Sequence, residues 1–140
     1  CGVLSQRNIF VNAAGEMLKI GDKERAIELL DMCQECVPEK DYPLDLTYLG
    51  FSNEFMVVDM IEKYFEAGAP EKAVALAERF TDSMFESVVF FLDFYEYTKQ
   101  EFENCYRILQ YLADVADEYG AKELGASIRD RFNAIVENYE

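Results

Sequence analysis

Three glycines divide the sequence into segments in which apolar residues recur at helical spacing, three and four residues apart. Gly21, Gly68 and Gly120 each stand where such a segment ends, and a new segment follows within two or three residues. Glycine is favoured just after the last turn of a helix. Sustained alternation of apolar and polar residues, which would indicate strands, is missing. The chain is therefore predicted to be all-α.

The helical segments are predicted to pair as antiparallel hairpins within a single domain over residues 1–140. The hairpins cover approximately residues 7–38, 52–80 and 102–138, and the stretch Pro38–Leu46 is predicted to be a loop. A further helix is predicted near 84–97, where apolar side chains lie on most sides. Such a pattern is typical of a helix buried in a core. The expected total is six to seven helices.

The first hairpin resembles the tetratricopeptide pattern, in which large and small residues precede a turn glycine, a tightly packed alanine and a closing proline. Small side chains at Ala14 and Ala26 would let two helix backbones approach closely. The turn glycines are 47 and 52 residues apart, whereas the repeat has a period of about 34 residues. The resemblance implies hairpins stacked as a short, irregular, tetratricopeptide-like right-handed superhelix.

The charge balance excludes two classes of partner. The chain has 28 acidic and 13 basic side chains, a formal net charge of -15. Nucleic acids and anionic lipid surfaces are bound by basic faces, so neither is expected as a partner. The longest apolar run, Val88–Leu92, is far shorter than the roughly 20 residues of a membrane span. We expect no direct membrane insertion by this segment and a domain that is soluble in isolation.

The absence of histidine excludes many enzyme classes. Ser-His-Asp and Cys-His nucleophile systems and histidine-containing metal sites all require it. No glycine-rich phosphate loop is present, and the acidic groups Asp59–Glu66 and Asp114–Glu118 have the spacing of solvated helix faces. We predict that the domain alone is not an enzyme and has no catalytic residue, no metal site and no cofactor.

Cys33 and Cys36 form a Cys-x-x-Cys motif, for which two interpretations stay open. One is a stand-alone thiol-redox or metal-binding helical protein that uses this pair. Redox motifs of this kind stand at the start of a helix, whereas this one lies near a helix end beside acidic residues. The other interpretation, which the position favours, is that Cys33 is a small buried residue of the hairpin.

The chain as a whole resembles the C-terminal region of a bacterial domain-of-unknown-function family of large multi-pass membrane proteins. The resemblance rests on the stretches SQRNIFVNAAGEMLKIGDKERAIELLDMCQECVPEKDYP, GFSNEFMVVDMIEKYFEAG and EKAVALAERF. The N-terminal halves of that family resemble glycosyltransferases that use lipid-linked sugars. The resemblance implies a domain tethered to the inner membrane, facing the periplasm, with any catalytic part outside this sequence.

A short helical repeat binds its partner along the concave face formed by the first helix of each hairpin. Alignment by the turn glycines puts Val11 and Phe55 on that face among polar residues. The predicted partner-binding residues are Arg7, Asn8, Asn12, Lys19, Asn53, Glu54, Glu62 and Glu66. The expected partner is a peptide segment or a neighbouring protein domain. Helix capping or buried hydrogen bonds between hairpins would explain the same polar residues.

The tyrosines of the second half form another candidate binding surface, because tyrosine combines a large contact area with a hydrogen-bonding group. The candidates for a groove lining are Tyr95, Tyr97, Tyr106, Tyr111 and Tyr119. They would equally suit the rim of the core, with their hydroxyls in water.

Overall fold

The protein is all-helical over the residues that its computed structural model describes, which are 3–36 and 53–139, with side chains over 9–34 and 57–139. Six helices follow one another in this part of the chain: α1 Val3–Lys19, α2 Lys23–Cys36, α3 Asn53–Glu66, α4 Pro70–Asp93, α5 Tyr95–Glu118 and α6 Lys122–Glu137. The all-α prediction is confirmed. The predicted loop Pro38–Leu46 lies outside the described residues.

Three turns between helices share one hydrogen-bonding pattern around a glycine. Gly21, Gly68 and Gly120 have φ values of 84°, 80° and 86°, in the left-handed region that favours glycine. The Gly21 amide donates to the Leu18 carbonyl (3.1 Å), and the Asp22 amide donates to the Met17 carbonyl (2.8 Å). The same pair of bonds recurs at the other two glycines. This is the Schellman arrangement, which satisfies the last carbonyls of a helix.

The starts of two helices have a local cause in the sequence. Asp22 Oδ1 accepts a hydrogen bond from the Arg25 amide (3.1 Å), so Asp22 caps the start of α2. Pro70 is the first residue of α4, where its missing amide hydrogen leaves no helical hydrogen bond unmade.

The chain divides into two compact units, Cys1–Leu76 and Ala77–Glu140, with the boundary inside α4. The single-domain prediction and its hairpin boundaries stay predictions. In the first unit α1 packs against α2 and α3. The core there contains Val11, Ala14, Ala26, Leu30, Ile61 and Tyr64. The burial of Ala14 and Ala26 agrees with their predicted role as close-packed positions.

The second unit is built on the pair α5 and α6 together with the C-terminal part of α4. Its core contains Phe80, Met84, Val88, Leu109, Leu112, Ala113 and Ile128. Gly125 of α6 lies against α5, and a Cβ at this position would come within 3.0 Å of the Ala113 carbonyl oxygen. Only glycine allows this approach without displacement of the neighbouring helix.

The stretch near 84–97 differs from the expected separate, buried helix. Its first ten residues are the C-terminal part of α4, which continues unbroken through Thr81. The break comes at Phe94, and the Thr98 hydroxyl lies 2.6 Å from the Phe91 carbonyl and 2.9 Å from that of Phe94. Val88 and Phe91 are buried, whereas Phe90 and its neighbours on the opposite face are exposed. The unit therefore buries only one side of this apolar segment.

None of the described helices is both long enough and apolar enough to cross a membrane.

Candidate functional site

The eight predicted partner-binding residues belong to α1 and α3 of the first unit. Four of them lie in these helices but outside the residues whose side chains are described: Arg7, Asn8, Asn53 and Glu54. The prediction for these four therefore stays untested, and so does the one for Phe55.

The other four predicted residues have described positions. Asn12 is exposed on α1, and Lys19 ends that helix with its Nζ 3.1 Å from Glu16 Oε1. Glu62 is half-buried and Glu66 is exposed on α3, one helical turn apart. This ion pair is largely exposed on both sides, so it holds Lys19 only weakly.

Val11 was aligned with the same face, but it is buried in the first unit with 1% of its surface exposed. It lies one turn before Gly15 and three residues before Ala14, on the side of α1 that packs inward. Val11 is therefore a core residue of the first unit.

A buried tyrosine joins three helices of the first unit. The Tyr64 hydroxyl donates to Asp31 Oδ1 (2.7 Å) and accepts a hydrogen bond from Gln34 Nε2 (2.6 Å). Asp31 Oδ2 in turn pairs with Lys72 of α4. Burial, and then the hydrogen bond to the Asp31 carboxylate, raise the pKa of Tyr64 above its ordinary value. The protonated Tyr64 hydroxyl can therefore donate to Asp31 at neutral pH. Its hydrogen bonds to Asp31 and Gln34 hold α2 against α3.

The cysteine motif is only partly described. Cys33 is 1% exposed, and its Sγ lies 3.9 Å from Met60 Sδ of α3. Cys36 is the last residue of α2, and its side chain lies outside the described residues. Cys105 is also a buried thiol. The position of Cys33 matches the interpretation of a small core residue.

Some carboxylates of the predicted acidic faces pair with basic side chains, and these carboxylates are still exposed to solvent. Arg129 of α6 donates to Asp117 Oδ2 and to Asp114 Oδ1 of α5, both at 2.8 Å. These two hydrogen bonds raise the pKa of Arg129. Lys63 similarly binds Asp59 at 2.8 Å. Over the described residues, no group of three or more cysteine, aspartate or glutamate side chains is arranged to hold a metal ion.

An exposed aromatic surface stands where α4 ends and α5 begins, in the second unit. We call it the aromatic corner, and it comprises Val89, Phe90, Phe94, Tyr95 and Tyr97. Phe90 is 56% exposed, Phe94 is 51% exposed and Tyr97 is 85% exposed. The Phe90 and Phe94 rings pack on each other with centroids 5.1 Å apart. Phe90 and Phe94 therefore form an exposed pair of aromatic rings at the end of α4.

The N-terminal part of α5 extends this surface. The first buried residue of the helix is Cys105, ten residues after its start at Tyr95. Lys99 lies over the Tyr95 ring, with Nζ 5.7 Å from the centroid. The side chains of the aromatic corner are therefore exposed at the end of α4 and at the start of α5.

The tyrosines proposed as a groove lining are all exposed, but they do not form one surface. Tyr95 and Tyr97 belong to the aromatic corner, whereas Tyr106 packs on Phe132 of α6 with ring centroids 5.1 Å apart. Tyr111 and Tyr119 lie further along α5 and at its end. Phe90 and Phe94 are not among the residues that the sequence selects, because the apolar run around them predicts a buried helix. One signal does point to them. A helix with apolar residues on most sides has more apolar surface than a single packed face can bury.

No protein family, curated protein or solved structure matches this chain.

Proposed function

We propose that this chain is a non-catalytic protein-interaction or scaffold domain, whose hairpins stack as a short, irregular, tetratricopeptide-like right-handed superhelix. The aromatic corner carries this proposal, because it leaves three aromatic rings at least half exposed on a helical unit that has a well-packed core elsewhere. The three glycine turns and the buried small residues Ala14 and Ala26 support the repeat architecture. The partner is a peptide segment or a neighbouring protein domain.

The lack of histidine in the sequence supports a non-catalytic role. The thiol-redox or metal-binding alternative is not favoured by any described residue. Reactive thiols are partly exposed, whereas Cys33 is buried against Met60.

The cellular location of the domain, and its position within a longer protein, are proposed from the family resemblance. It would be the C-terminal part of a bacterial inner-membrane protein that resembles lipid-linked-sugar glycosyltransferases, facing the periplasm. The reading frame upstream of Cys1 tests this proposal. We expect several hydrophobic spans of about 20 residues there. A lone lipoprotein signal, or a frame with no hydrophobic span, would contradict it.

Selection of peptides from an unbiased displayed library against the 140-residue chain tests the interaction function. The selected peptides are expected to lose about tenfold or more in affinity for the double variant Phe90→Ser, Tyr97→Ser, because exposed aromatic anchors carry much of the energy of an interface. Both residues are exposed, so the melting temperature should change little.

The matched control is the double variant Ile9→Ser, Ile20→Ser, which removes exposed apolar side chains of the first unit. Its affinity for the selected peptides should equal that of the wild type. The proposed function at this surface would be contradicted if no peptide enriched. It would also be contradicted if both double variants lost affinity equally.

A further inference from the structure

Acidic residues are frequent in the part of the sequence that contains the aromatic corner. Between Glu86 and Glu103 the chain carries five carboxylates and a single basic residue, Lys99. On α4, Glu86, Phe90 and Asp93 are exposed at spacings of four and three residues, so they share one face of the helix. The corner therefore combines aromatic rings with negative charge at its edge.

The same helix already binds an arginine through this combination of groups. The Arg131 guanidinium lies over the Phe85 ring, with Cζ 4.4 Å from the centroid. Its Nη1 donates to Asp82 Oδ1 at 2.9 Å. The carboxylate stands three residues before the ring on α4. A guanidinium suits such a site, because it is planar, weakly hydrated and able to stack and to donate at once.

A related combination lies further along α4, where Glu86 stands four residues before Phe90 and Asp93 three residues after it. Glu86 and Phe90 are both exposed. Asp93 accepts a hydrogen bond from the Tyr139 hydroxyl at 2.6 Å, which raises the pKa of Tyr139 and fixes the position of the carboxylate.

We propose that the aromatic corner binds an arginine-containing basic segment of a partner protein. Guanidinium groups of the segment stack on Phe90, Phe94 and Tyr97 and pair with Glu86 and Glu96, while its apolar side chains cover Val89. This inference rests on the proposed interaction function and adds the chemistry of the partner.

Charge selects this occupant over a second copy of the chain. Each copy has a net charge of -15, and two corners brought together would face each other with like-charged edges. Such contacts are unfavourable. A basic segment instead neutralises the carboxylates, and the acidic edge speeds its diffusional encounter.

Fluorescence anisotropy with three synthetic amphipathic peptides, titrated with the 140-residue chain, tests the inference. The peptides share one leucine pattern and carry arginine, lysine or glutamine at the polar positions. We expect the arginine peptide to bind more tightly than the lysine peptide and at least about tenfold more tightly than the glutamine peptide. Raising the salt from low to physiological ionic strength should weaken binding of both basic peptides.

Two pairs of variants separate a specific site from general attraction to an acidic protein. Phe90→Ser and Glu86→Gln should each weaken the arginine peptide about fivefold or more, whereas Tyr111→Ser and Glu123→Gln change exposed residues outside the corner and should leave the affinity unchanged. Equal effects of Glu86→Gln and Glu123→Gln would overturn the inference. Binding of the glutamine peptide as tight as that of the arginine peptide, but lost in Phe90→Ser, would also overturn it, and would leave the interaction function standing.

Discussion

Replacing Tyr64 by phenylalanine is expected to lower the free energy of unfolding by about 1–3 kcal/mol, the range for a buried polar group that loses its partner. The ring stays, but the Asp31 carboxylate loses a donor at 2.7 Å and the Gln34 amide loses an acceptor at 2.6 Å. Urea unfolding measures the difference. Tyr106→Phe is the matched control, because the Tyr106 side chain is exposed, and it should change stability by less than about 0.5 kcal/mol.

The contribution of Tyr64 to the free energy of unfolding should also depend on pH in the alkaline range. Its pKa is raised in the folded protein from the ordinary value of 10.0, so the folded state holds this proton more tightly than the unfolded chain. The stabilisation is complete below about pH 10 and is lost as the pH rises from there through the folded value. The stability difference between wild type and Tyr64→Phe should therefore shrink above pH 10. A difference that is constant from pH 8 to pH 11, or equal losses in Tyr64→Phe and Tyr106→Phe, would contradict this role.

Alanine at Gly125 is expected to lower the free energy of unfolding by a net amount of about 1–2 kcal/mol. The new Cβ would meet Asp117 Oδ1, and it would lie 3.0 Å from the Ala113 backbone oxygen. Asp117 could turn aside only by leaving Arg129, and the backbone oxygen belongs to a packed helix. These costs exceed the roughly 1 kcal/mol by which alanine improves on glycine in a helix.

The same substitution at Gly15 should have the opposite sign. A Cβ there would meet only the far end of the flexible Lys63 side chain, with Cε at 2.9 Å. The gain in helix propensity, up to about 1 kcal/mol, should then prevail. Thermal or urea unfolding of the two single variants checks the pair. Equal changes at both positions would show that close packing at Gly125 does not control stability.

Local signals were sufficient to predict the helices and most of their ends. Gly21, Gly68 and Gly120 mark turns in the sequence because no other residue adopts a positive φ as readily. Asp22 and Pro70 mark helix starts for equally local reasons. The sequence predicts the end of a hairpin near residue 80 and a new helix near 84, whereas α4 runs from Pro70 to Asp93. In the structure the Thr81 hydroxyl donates to the Glu78 carbonyl (3.1 Å), so the polar side chain is satisfied within the helix, which continues.

Contacts between residues far apart in the sequence could not be predicted from local patterns. The helical spacing marks Tyr64 only as an apolar position of α3, and its partners Asp31 and Gln34 stand 33 and 30 residues away on another helix. The exposure of Phe90 and Phe94 depends likewise on which face of α4 the second unit covers. Periodicity identifies an apolar segment, but the amount of core available to bury it is a property of the assembled unit.

The repeated glycine turns have a consequence for how the chain acquires its structure. Each turn joins helices that are adjacent in sequence, and α1 packs on α2 just as α5 packs on α6. Closing these short connections costs little entropy, and local helix pairs of this kind favour folding within microseconds to milliseconds. Peptide synthesis adds only about 5–20 residues per second. The α1–α2 hairpin can thus form on the emerging chain well before the residues of α6 have been joined to it.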